Sequence, residues 1–435
     1  MTKKYDIIVI GGGIAGIYTT YKLLQKDPTL SILLLESSDR FGGRIYTDPK
    51  YGLEAGAGRF SSNHTNLLQL IKELRLENKM QKSNASAKYF PITKTNENVN
   101  TKLPSIFSSL LELYTGSETN ELQELVATVV LASKLERKEY LQSVSFITYA
   151  KTILSNKEVK YILDSFGYYS ELVIMNAYDT MQLIQNLDPN NQFYILKDGL
   201  SQIIEGMMNK IQKIKKNESI MKYNHKVVSI TREKQTSIYS LEIENGKIFY
   251  TDKIIAALPK QVLEKIRFFK SLQPDLKKIE CAPLCRIYSK FNDKDKAWIK
   301  NLPKFTTNNN LRMVIPINPA KGTIMISYTD NKYADYWNHL YKTKGIDKVD
   351  EKIAENIKES TNLNIPKPVE TMVYYWSCGV GYWGIGADSH KISQKMIKPF
   401  EKDEVYICGE HYSEKNQQWI EGALETSISV LKKIY

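Results

Sequence analysis

Residues 4–25 read KYDIIVIGGGIAGIYTTYKLLQ, and residues 31–47 read SILLLESSDRFGGRIYT. Asp6 to Ile10 is a short, continuous apolar run rich in β-branched residues, the pattern of a buried parallel strand. It runs straight into Gly11, Gly13 and Gly16, a GxGxxG that opens a helix carrying Ile17, Tyr21 and Leu24. The glycines suit a tight turn, a close approach of backbone to a pyrophosphate, and close helix-on-strand packing. The helix start, with Ile14 and Ala15, offers free N–H groups and a positive dipole end to phosphates. A second apolar run, Ile32 to Leu35, ends at Glu36, twenty positions beyond Gly16, where an acid can hold a ribose hydroxyl. Strand, glycine turn, helix, second strand and acid together predict a dinucleotide-binding unit.

The segment after Glu36 specifies which dinucleotide. Arg40-Phe41-Gly42-Gly43-Arg44 resembles the RxGGR signature of the flavin amine oxidase family, which includes monoamine, polyamine and L-amino acid oxidases. The resemblance implies FAD, with Gly42 and Gly43 against the cofactor and Arg44 near its pyrophosphate. It continues at Gly56-Ala57-Gly58-Arg59, similar to the family's second flavin-contacting loop in the Gly-x-x-Arg form of amino acid oxidases. Val227 matches the valine set against adenine, and Arg286 stands where the family carries a lysine that approaches flavin N5 through a water. Arginine stays charged and cannot serve as a base. Gly409, Glu410, Trp419 and Ile420 match the C-terminal flavin signature, and Trp383 and Trp419 match an aromatic pair flanking the substrate nitrogen. Tyr382 lies nearest the cysteine to which monoamine oxidases attach FAD, so the cofactor is expected to be non-covalent.

The whole chain bounds these readings. Its 435 residues allow a sizeable core and two interleaved domains. The fold class expected is α/β, an FAD-binding Rossmann-like domain (1–77, 190–270 and 395–435) interleaved with a substrate domain of antiparallel sheet plus helices (78–189 and 271–394). In the second domain, Leu103 to Leu113, Glu121 to Leu135 and Tyr161 to Ile184 read as helices, a block that the resemblance implies lids the substrate cavity, with Ser62 or Asn63 capping an earlier helix. The formal charge of +12 is a dispersed lysine excess, which argues for a solvated surface rather than nucleic-acid binding. No signal peptide or bilayer-spanning stretch is evident, and a cytoplasmic protein is expected. Cys281, Cys285, Cys378 and Cys408 form no CxxC pair and have no histidine at ligand spacing. All four are read as reduced packing residues, with no metal.

The activity implied by the resemblance is hydride transfer from the α C–H of an amine to flavin, giving an imine and, with molecular oxygen, hydrogen peroxide. Arg59 points to a substrate carboxylate, hence an L-amino acid, with Trp383, Trp419 and Tyr382 around it. Arg286, Trp383 and Trp419 are the candidate catalytic positions. Arg59 supporting the FAD pyrophosphate or a nearby loop, a polyamine or monoamine substrate, a flavin desaturase or dehydrogenase, and a non-catalytic scaffold of this fold stand as alternatives. Partners are a small amine or amino acid and oxygen, with no nucleic acid, no membrane and a homodimer left open.

Overall fold

The computed structural model describes residues 3–83, 87–92, 121–185, 192–216, 218–233 and 235–435. The strand Lys4–Ile10 lies inside a seven-stranded sheet, flanked in parallel by Ile32–Leu35 and by Ile248–Ala256. Period-2 alternation divides its side chains between two cores. Ile7 and Val9 meet the helices Ile14–Lys26, Ser201–Ile214 and Ile420–Ile434, whereas Ile8 and Ile10 join Val227, Leu263 and Val405 on the other face. The long strand Ile248–Ala256 pairs antiparallel with Tyr239–Ile243 and, further along, parallel with Val405–Ile407. The chain's last segment is thereby brought back beside its first.

A second, six-stranded sheet runs in the order Glu370–Trp383, Ile279–Lys290, Thr323–Asp330, Met313–Asn318, Phe305–Thr306, Lys88–Tyr89. The helix Asn331–Thr361 covers it, burying Trp337, Ile353 and Ile357 against Cys285, Ile287 and Ile324. At Gly345 the backbone leaves helical geometry (φ 78°, ψ 180°), so two helical pieces meet there.

Three sequence expectations change. Tyr161 to Ile184 is not one helix but parts of Asn156–Ser165, Tyr169–Val173 and Ala177–Gln185. Phe166 is extended (φ −72°, ψ 123°), and Met175 makes a β-bridge to Gly384, so backbone pairing replaces a helical turn. The N-cap of helix Thr65–Glu73 is His64, with no side-chain cap; the N–H groups of Asn66 and Leu67 instead donate to the Glu421 carboxylate, at 3.0 and 2.9 Å. Cys281 and Cys378 are joined by a disulfide, whereas Cys285 and Cys408 are free and buried. The two bonded cysteines lie on adjacent strands where the register slips between Ala282 and Leu284, which brings their Cα atoms within 5.4 Å. The expected helix Leu103 to Leu113 lies outside the described residues. Among the described residues no helix is long and apolar enough to cross a membrane.

Candidate active site

A cavity of about 1200 Å³ is lined by both sheets and by the helical block. That exceeds the few hundred to about 1,000 Å³ of an ordinary small-molecule pocket, leaving room for a large cofactor and a substrate together. Its first wall is the glycine turn. A Cβ on Gly16 would come within 2.0 Å of the Gly11 carbonyl oxygen, so this glycine serves packing, and Gly16 does not line the cavity. A Cβ on Gly13 would meet no protein atom within 4 Å; it would project into open space in a turn that lines the cavity. Glu36 also lines this end, its carboxylate accepting from the N–H of Gly12 at 2.6 Å and of Ser38 at 2.8 Å. Val227 completes that end.

The RxGGR segment lies against the turn. Gly42 N–H donates to the Gly12 carbonyl at 2.8 Å, and Arg40 Nη2 donates to the Gly43 carbonyl at 2.8 Å. Gly42, Gly43, Ile14, Ala15 and Arg40 all line the cavity. Arg44 reaches across the chain: its Nη1 donates to Glu410 Oε2 at 2.7 Å and to the Gly379 carbonyl at 3.1 Å. The other Glu410 oxygen accepts from the N–H groups of Gly381 and Gln418. Burial pushes the Glu410 carboxyl up, but Arg44, His411 and these N–H groups outweigh it and hold it below the usual carboxylate range. Burial, helped by Arg44 and Lys260 and opposed by Glu410, holds His411 down at about 4. This ring is therefore neutral at pH 7 beside an ionised pair.

Further along, Gly56, Ala57, Gly58 and Arg286 line the cavity together. Arg286 Nη1 donates to the Glu54 carbonyl at 2.9 Å, and its guanidinium lies 4.7 Å from the ring centre of Tyr328. At the far end Arg59 donates from Nη2 to the Tyr168 hydroxyl at 2.7 Å. Its guanidinium sits over the faces of Phe193, Trp419 and Tyr168 at 4.7, 5.8 and 5.9 Å. Tyr382, Gly409, Glu410, Trp419 and Ile420 also line the cavity.

Trp383 is a correction. It is fully buried in the core, its indole N–H donating to the Ser413 carbonyl at 3.0 Å, and it does not line the cavity. Adjacent residues of a strand point to opposite faces, so Tyr382 takes the wall and Trp383 the core. Among the lining residues not singled out from the sequence are Glu171, Lys304, Tyr328 and His411. Glu171 lies within the stretch read as helix, and no local pattern distinguishes it. His411 lies beside the bonded Cys281 and Cys378, the three ligand atoms within 4.8 Å of one another. That is a metal-type donor set which spacing did not reveal, although here the two sulfurs are bonded to each other.

The family model described as flavin containing amine oxidoreductase matches residues 14–430. A probable flavin-containing monoamine oxidase A of Dictyostelium discoideum is 22% identical, the match covering 100% of this chain and 98% of that one. Aplysianin-A of Aplysia kurodai is also 22% identical, over 100% of this chain and 90% of its own. Among solved structures, putrescine oxidase bound to putrescine superposes with a TM-score of 0.73 at 14% identity, covering 100% of this chain and 99% of that chain.

Proposed function

The chain belongs to the flavin-containing amine oxidoreductases, and on that premise we propose that it is an FAD-dependent oxidase of L-amino acids, holding its cofactor non-covalently. The observation that carries the substrate reading is Arg59. A guanidinium has five N–H donors, of which Tyr168 receives one, and aromatic faces hold its plane in a cavity wall. A planar fork so held suits bidentate capture of a carboxylate, which fixes both position and orientation of the α carbon. Bound FAD would supply the hydride acceptor. The residues for it are Gly13 with its open approach, Glu36 at the ribose end, Gly42 and Gly43, and the Arg44–Glu410 pair. Tyr382 near the attachment position offers no thiol, and Cys378, also in the wall, is bonded to Cys281. Arg286 contributes a fixed positive charge in that wall, held by the Glu54 carbonyl. The chain's own share is to orient the substrate and exclude water around these groups.

A peroxide-coupled screen of the common amino acids against putrescine, spermidine and arylalkylamines tests the reading. Peroxide from amino acids is the expected result; oxidation of amines alone, with every amino acid ignored, overturns it in favour of a polyamine or monoamine oxidase.

A further inference from the structure

Glu171 is the one acidic side chain of the cavity wall left with a buried, unpartnered oxygen among the described residues. It lines the same cavity as Arg59, is only 5% exposed, and its Oε2 is buried without a hydrogen-bond partner. Its neighbours in the wall are provided for. Glu36 and Glu410 accept backbone N–H groups, and Glu54 accepts from the N–H of Leu200 and the hydroxyl of Thr47. Asp330, on the strand packed against the helix that carries Glu171, accepts from the N–H groups of Tyr169 and Ser170 at 3.1 and 2.7 Å. An unsatisfied carboxyl oxygen in a closed site costs free energy unless something arrives to meet it.

The charged and titratable groups facing Glu171 are Arg59 and Asp330, with the phenols of Tyr168 and Tyr382. Arg59 attracts a carboxylate; the wall offers an ammonium no other unpartnered acid. We propose that Glu171 is the acceptor for the substrate's ammonium, which docks against its carboxylate and passes it one N–H proton. The step is R–NH3+ with Glu171–COO− going to R–NH2 with Glu171–COOH; no electrons move, and the neutral amine with its lone pair is then ready for oxidation. This inference rests on the amine-oxidising reading of the cavity and adds to it a proton acceptor close to the anion site. Burial and the nearby Asp330 push Glu171 up to about 8, with Arg59 opposing. In the free site at pH 7 the carboxyl is therefore mostly protonated, and a docking ammonium stabilises the ionised form and expels that proton to solvent.

Three unreactive probes without an α C–H isolate the two charges: 2-aminoisobutyrate carries both, tert-butylammonium only the cation, and pivalate only the anion. Calorimetry on the flavin-loaded protein at pH 7, in two buffers of different ionisation enthalpy, reads affinity and proton release together. Wild type is expected to release nearly one proton on binding tert-butylammonium or 2-aminoisobutyrate. Glu171→Gln should weaken both about tenfold or more and abolish the release, with pivalate affinity unchanged. Unchanged tert-butylammonium affinity and proton release in Glu171→Gln would overturn the assignment. So would an equal loss of pivalate, because Glu171 would then shape the cavity rather than receive a cation. If wild type binds tert-butylammonium but neither anion, the carboxylate reading of Arg59 fails while the role of Glu171 stands.

Discussion

At the scale of single residues, two glycines one turn apart differ in what an added methyl would meet. Gly16→Ala drives a methyl against the Gly11 carbonyl, backbone against backbone, and should cost about 1–3 kcal/mol in urea denaturation. Gly13→Ala meets no protein atom at φ −74°, which alanine adopts freely, so apoprotein stability should stay within ~0.5 kcal/mol. Under the proposed placement of FAD its flavin content after purification should nevertheless fall sharply, because the methyl projects into the cavity. Normal flavin content in Gly13→Ala would remove that turn from the cofactor site. The glycines were legible because a backbone constraint is written locally. Glu171 was not, since its isolation depends on where Arg59 and Asp330 arrive from distant segments. The same carboxyl gives a pH signature. Its folded value lies above the unfolded one, so the stability it contributes is complete below about pH 4.5 and is lost as pH rises towards 8. In the apoprotein, Glu171→Gln should gain on wild type across that window, by ~5 kcal/mol at most. A pH-independent difference between the two would show that Glu171 titrates normally.

At the scale of elements, the sequence disclosed strands better than their irregularities. The run Arg286-Ile287-Tyr288-Ser289-Lys290-Phe291 announces a strand by alternation, but the register slip between Ala282 and Leu284 follows from how the neighbouring strand pairs. That slip places Cys378 beside Cys281, and no spacing over 97 residues could have announced it. Alkylation of the denatured, unreduced protein should therefore label two thiols, Cys285 and Cys408, and all four only after reduction. Four labelled thiols without reductant would restore the reduced reading. Arg312 organises the helical block in a similarly non-local way. Its guanidinium is buried and donates to the carbonyls of Leu163, Asp164 and Phe166, closing the end of helix Asn156–Ser165 just before Tyr168 and Glu171. Lysine keeps the charge but not the fork. Arg312→Lys should lose about 2 kcal/mol of stability, and a denaturation midpoint identical to wild type would show that the carbonyls do not depend on it.

At the scale of the whole molecule, the cavity exists because the chain's two ends are held together. Val405–Ile407 extends the sheet begun by Lys4–Ile10, Glu421 meets the first turn of helix Thr65–Glu73, and Glu410 meets Arg44. The motifs at both ends were visible in the sequence, but not that they bind one another; a carboxylate 366 positions away leaves no local trace. The Arg44 side chain is 33% exposed and that of Glu410 only 6%, so the pair is neither a solvated surface bridge nor a fully dry one. Its net worth lies between the near-zero value of exposed pairs and the large losses seen when a buried pair is broken from one side. A double-mutant cycle on the apoprotein with Arg44→Met and Glu410→Gln isolates that coupling, which we expect at about 1–3 kcal/mol. Glu410→Gln alone should be the more damaging to flavin retention, because it weakens the hold on Arg44 and the acceptor for Gly381 and Gln418 at once. Additive single effects would mean that the sheet, Glu421 and the packing of helix Ile420–Ile434 on helix Ile14–Lys26 join the two ends without help from Arg44–Glu410, with Arg44 free to serve the cofactor without Glu410.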